Sequence, residues 1–77
     1  MKELLDFIVK NIVRNPDSVE IVQEAGEQPD TEVYIIKVKE EDKGILIGKA
    51  GRTINAIRDI AKIKGIRDEK RVVVRVE

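Results

Sequence analysis

The chain has 77 residues, with 15 Lys and Arg balanced by 15 Asp and Glu, and neither His nor Cys. That length predicts one domain over residues 1–77, small enough to bury only about 60% of its unfolded-chain surface and so to gain from association. Without His or Cys there is no disulfide, no ordinary zinc site and no Ser/His or Cys/His pair, so neither an enzyme nor a metal or cofactor protein is expected.

The opening run MKELLDFIVKNIV is too short to cross a bilayer, and Asp6 and Lys10 interrupt the apolar stretch that a signal peptide needs; a cytoplasmic protein is expected. Its apolar positions Leu5, Ile8, Val9, Ile12 and Val13 follow helical spacing, which predicts a helix from Lys2 to Arg14. Asn15-Pro16-Asp17 ends it, because Pro drives the preceding residue out of the helical region. Val19 to Gln23 reads as a short strand and EAGEQPD, residues 24–30, as a polar turn. Glu32 to Lys39 alternates Tyr34, Ile36 and Val38 with Val33, Ile35 and Lys37, a second strand that pairs with the first as a hairpin.

After the acidic connector EEDK comes GILIGKAGRTINAI, residues 44–57, where three glycines interrupt an aliphatic run that otherwise suits a helix. Gly costs about 1 kcal/mol relative to Ala inside a helix, so three within eight residues imply a backbone requirement, and contact with a ligand is the expected one. A helix resumes from Arg52 to Lys64 with Ile54, Ile57 and Ala61 on one face. KGIRDEK reads as a charged loop, and RVVVRV, residues 71–76, as a last strand with Val72, Val74 and Val76 on one side. Helices between the second and third strands permit a parallel crossover, so the expected fold is α+β, order αββααβ, with three helices on one face of a three-stranded mixed sheet.

Charge is unevenly distributed along this order. Residues 1–42 carry five Lys/Arg and eleven Asp/Glu, a balance of −6, whereas residues 43–77 carry ten and four, a balance of +6. Either the halves pair within the fold, or the second half presents a basic surface to a polyanion.

The glycine stretch fits neither common nucleotide motif. Only three residues separate Gly44 from Gly48, and Ala50 stands where a Walker A loop places its hydroxyl; Leu46 breaks the dinucleotide pattern GxGxxG. What remains is GxxG between two helical segments, Gly48-Lys49-Ala50-Gly51. Glycines there allow a sharp bend and a close sugar-phosphate approach, helix amides near Gly51 and Arg52 are expected to face phosphates, and Lys49 and Arg52 add charge.

LIGKAGRTI, residues 46–54, resembles the core motif of the KH domain, an aliphatic pair, GxxG, then an aliphatic residue three positions on. The element order resembles the type II KH arrangement. More narrowly, the opening MKELLDFIVKNIV, the NPD turn, the acidic connector and the closing RVVVRV resemble the KhpA family of small stand-alone bacterial KH proteins. The resemblance implies single-stranded RNA as ligand. It further implies an RNA chaperone that pairs with a larger KhpB-like partner in processes linked to cell shape and wall growth. It assigns Gly48, Lys49, Ala50 and Gly51 to a backbone clamp, Gly44 and Ile45 to the floor of a groove, Arg52 to phosphate, and Arg67, Lys70 and Arg71 to the opposite wall. Leu46, Ile47, Ile54 and Ile57 are expected in the core. Phe7 and Tyr34 are too few for an aromatic stacking platform.

Ala56, Ile60 and Ile63 form a second apolar stripe on the last helix, and Val22, Ile35 and Val73 a patch on the outer face of the sheet. A small two-layer fold cannot cover both, so at least one is expected to meet a second copy or a partner. Two function classes therefore stand: an RNA-binding module, or a protein-interaction module with incidental RNA contact.

Overall fold

The computed structural model describes residues Met1–Glu77. Helix α1 (Lys2–Lys10) leads into β1 (Glu20–Ala25) and β2 (Thr31–Lys37), then α2 (Lys43–Ile47), α3 (Arg52–Arg67) and β3 (Arg71–Val76), with single 3-10 turns at Pro16–Ser18, Glu40–Asp42 and Lys49–Gly51. The sheet order is β1-β2-β3. β1 runs antiparallel to β2 with Gln23 opposite Tyr34, and β3 runs parallel to β2 with Val74 opposite Tyr34. This is the α+β arrangement that the element order predicts.

Alternation along the strands decides the core. Ile21, Tyr34, Ile36 and Val74 turn inward and meet Leu5 and Val9 of α1, Leu46 of α2, and Ile54, Ile57 and Ala61 of α3. Each aliphatic side chain so buried contributes about 1.5–3 kcal/mol. Ile47 departs from expectation. It is 39% exposed, because a helix of five residues packed on one side directs the residue after buried Leu46 about 100° away from the core.

Two helix ends differ from the sequence reading. α1 stops at Lys10 rather than Arg14, where the Asn11 side-chain amide donates to the Phe7 carbonyl at 2.7 Å and competes with the helical ladder. Val13 still reaches the core from the following turn. α3 runs on past Lys64 to Arg67 because Gly65 is buried inside it: a Cβ there would lie 2.7 Å from Val72 Cγ2 and 2.8 Å from the Lys70 carbonyl. The helix then closes in a Schellman motif, with Lys70 N–H donating to Gly65 O at 2.7 Å and Glu69 N–H to Ile66 O at 3.1 Å.

A buried carboxylate joins the segment after α1 to the connector before α2. Asp42, fully buried, accepts from Arg14 N–H at 3.3 Å and from Asn15 N–H and Nδ2 at 3.0 Å each. Asn15 Nδ2 also donates to Glu41 at 2.7 Å. Burial raises the Asp42 carboxyl, but the Asn15 side chain and backbone, the Arg14 N–H and the Arg14 charge together outweigh it and hold it below the usual value. The acidic connector thus ties the segment that follows α1 to the start of α2. On the far face of the sheet, Val22, Ile35 and Val73 are joined by Val33, which is buried although it lies outside the main core.

Candidate nucleic-acid interface

The bend between α2 and α3 is built on three positive-φ residues among four. Gly48 has φ 77° and ψ 174°, Ala50 φ 56° and ψ 26°, and Gly51 φ 77° and ψ 12°. At Gly48 both dihedral and space demand glycine, since a Cβ would stand 2.8 Å from Thr53 Cβ and 2.9 Å from Thr53 N. At Gly51 only the dihedral does, the nearest atom being Asn55 Nδ2 at 3.6 Å. Gly44 is different. It sits in α2 with nothing within 4 Å of an added Cβ, so the fold itself requires two of the three glycines, and the reading of all three as one backbone requirement is corrected.

The amides of the bend are also distributed differently from expectation. Gly51 N–H donates to Gly48 O at 3.1 Å and Arg52 N–H to Lys49 O, so both are consumed inside the 3-10 turn. The N–H groups of Lys49 and Ala50, by contrast, make no bond within the chain. Lys49, Ala50 and Arg52 are exposed, so unpaired amides and two cations stand together at the mouth of the 16-residue helix α3.

Beyond the bend, α3 and the free edge of β3 enclose an open groove of about 900 Å³. Its helical wall carries Asn55, Arg58, Asp59, Lys62 and Ile66, and its strand wall runs from Lys70 to Arg75. Lys70 and Arg71 stand on that wall. Arg67, Gly44 and Ile45 lie outside it; Arg67 and Gly44 are exposed and Ile45 is half-buried. Sequence reasoning did not single out Asn55, Arg58 or Arg75 as groove residues. Helical spacing from Arg52 places Asn55 and Arg58 on one side of α3, but nothing local says that β3 lies opposite.

The acidic and basic halves do not neutralise one another. The ion pairs are Lys10–Asp6, Lys37–Glu77, Lys43–Glu40 and Lys64–Asp68, and only Lys43–Glu40 joins a cation of the basic half to an anion of the acidic half. Lys49, Arg52, Lys62, Lys70, Arg71 and Arg75 form no ion pair, and all six line the groove or the bend on exposed positions. On α3 the second apolar stripe is open to solvent: Ala56 is exposed, Ile60 is 44% and Ile63 69% exposed, with Ile66 nearby at 67%.

A family profile described as KhpA/KhpB, KH domain, matches residues 2–76. The chain belongs to that family. It is 42% identical over 76 residues to the RNA-binding protein KhpA of Clostridium acetobutylicum, covering 99% of both chains. It is 42% identical to the RNA-binding protein KhpA of Thermotoga maritima, covering 99% of this chain and 97% of the relative. With the KhpA of Chlamydia trachomatis, likewise named an RNA-binding protein, identity is 40% over 99% of this chain and 95% of the relative. No solved structure matches the chain. No helix is long and apolar enough to cross a membrane.

Proposed function

We propose that the chain is a non-catalytic, cytoplasmic binding protein for single-stranded RNA, whose Gly48–Gly51 bend clamps the sugar-phosphate backbone while bases enter the groove between α3 and β3. The observation that carries this reading is the bend: bare backbone with unpaired Lys49 and Ala50 amides, flanked by Lys49 and Arg52 with no acidic partner. A backbone of this shape admits phosphate where a side chain would exclude it. Gly44 and Ile45 serve as floor beside the bend, and Arg67, Lys70 and Arg71 supply charge on the far side. Membership of the family supports an RNA-chaperone role with a KhpB-like partner in cell-shape and wall processes.

Titration of an unstructured RNA at several salt concentrations tests the reading. A clamp on about four nucleotides should give a logarithmic salt slope near −3, at about −0.7 per neutralised phosphate. The double substitution Lys49→Asp with Ala50→Asp should abolish both binding and slope while the fold persists. Binding equal to wild type would refute the clamp.

The exposed stripe Ala56, Ile60 and Ile63 favours a second reading alongside the first, an interface with another copy or with a KhpB-like chain. Light scattering should show association that Ile60→Glu removes; a monomer at high concentration, unchanged by that substitution, would exclude the stripe.

A further inference from the structure

The free edge of β3 has its central acceptor already occupied. Arg71 N–H donates to Asp30 O at 2.8 Å and Glu77 N–H to Ile36 O at 3.1 Å. Residues of that parity therefore pair with β2, and by strand alternation the N–H and C=O of Val72, Val74 and Val76 point toward the groove. An edge N–H beside an edge C=O is a donor next to an acceptor. That pattern complements a base carrying a ring acceptor next to an amino group, as adenine does.

Arg58 changes this pattern. Its Nε donates to the Val74 carbonyl at 3.1 Å, and its Nη1 donates to Asn55 Oδ1 at 3.2 Å. One guanidinium thereby covers both the strand acceptor and the side-chain acceptor at the middle of the groove. Of its five N–H groups two are engaged and three are left. Together with Val74 N–H and the Asn55 amide nitrogen, they make this stretch of the groove a field of donors.

We propose that Arg58 is a specificity-determining residue that sets the groove to accept guanine and to reject adenine. The inference rests on the RNA reading above and deepens it. Guanine offers two adjacent acceptors, O6 and N7, to paired donors; adenine places its N6 amino group where O6 would be, so donor meets donor. Asp17, exposed on the turn Pro16–Ser18 and outside the groove, serves as the control position.

Fluorescence anisotropy with the octanucleotides UUUGUUUU and UUUAUUUU, equal in length and charge and neither self-complementary, tests this. Wild type should bind UUUGUUUU roughly tenfold more tightly, the order of one two-point base contact. Arg58→Ala, at an exposed position, weakens both RNAs through lost charge, but the ratio should collapse toward one because the two acceptors are uncovered. Arg58→Lys keeps the charge and covers one acceptor at most, so its ratio should fall between. Asp17→Asn should leave the ratio unchanged. Equal binding of both RNAs by wild type, a ratio unmoved in Arg58→Ala, or a ratio lost in Asp17→Asn instead would each overturn the assignment. Wild type that binds neither RNA would refute the RNA reading itself, and Lys49→Asp with Ala50→Asp should remove both RNAs alike.

Discussion

Gly48, Ala50 and Glu69 all hold positive φ, yet they answer differently to substitution. Gly48 lies in a region essentially closed to side chains, with Thr53 against the missing Cβ. Gly48→Ala should cost about 2 kcal/mol or more and lower Tm by on the order of 10 °C, read by thermal circular dichroism. Ala50 is in the left-handed helical region that Asp and Asn enter more readily than most residues, so Ala50→Asp leaves the bend formed and isolates its charge. Glu69 occupies the Schellman position that glycine prefers, at φ 59°, and its carboxylate adds negative charge at a helix C-terminus. Glu69→Gly should therefore stabilise the chain by about 1 kcal/mol, raising Tm by about 4–8 °C. An unchanged or lower Tm would show that this strain is absent.

At the level of elements, the segment after α1 is held to the start of α2 by Asn15 and Asp42, residues far apart in the chain. Because the folded carboxyl lies below its ordinary value of 3.8, its contribution to stability is present above that value and is lost as pH falls through the lower folded one. Asp42→Asn replaces an acceptor-only group with one that also donates, which sets amide against the Arg14 and Asn15 donors. The substitution should lower Tm at neutral pH and flatten the acid limb below about pH 4. A wild-type acid limb retained in Asp42→Asn would assign that limb to other carboxylates. Helix α3 shows a comparable dependence on distant partners. Its apolar face Ile54, Ile57 and Ala61 was readable from spacing, but its end was not, since Gly65 reads locally as a stop and only Val72 behind it makes a missing side chain useful.

Taken whole, the molecule keeps its opposite charges apart, and its single Tyr, in a chain without Trp, reports on the core. Burial first, then the hydrogen bond and charge of Glu32, push the Tyr34 hydroxyl up to about 12. The neutral phenol is favoured in the fold, so this stability is complete below about pH 10 and is lost as pH rises toward 12. Tyrosinate absorbance should titrate near 12 in the folded chain and near 10 in denaturant; the same midpoint in both would mean an exposed phenol. Tyr34→Phe should lessen the alkaline loss of Tm.

The sequence by itself determined the helices, the strand order and the GxxG bend, because periodicity, Pro and Gly act on neighbours a few residues away. It also located the basic half and the spare stripe on α3. Tertiary structure alone decided that only two ion pairs bridge the charged halves, that Asp42 is buried on Asn15, that Val33 is buried on the outer face of the sheet, and that Arg58 covers Val74 at the sheet edge. Each of these depends on which distant segments become adjacent, and hydrogen bonding and burial are properties of that adjacency rather than of any local pattern.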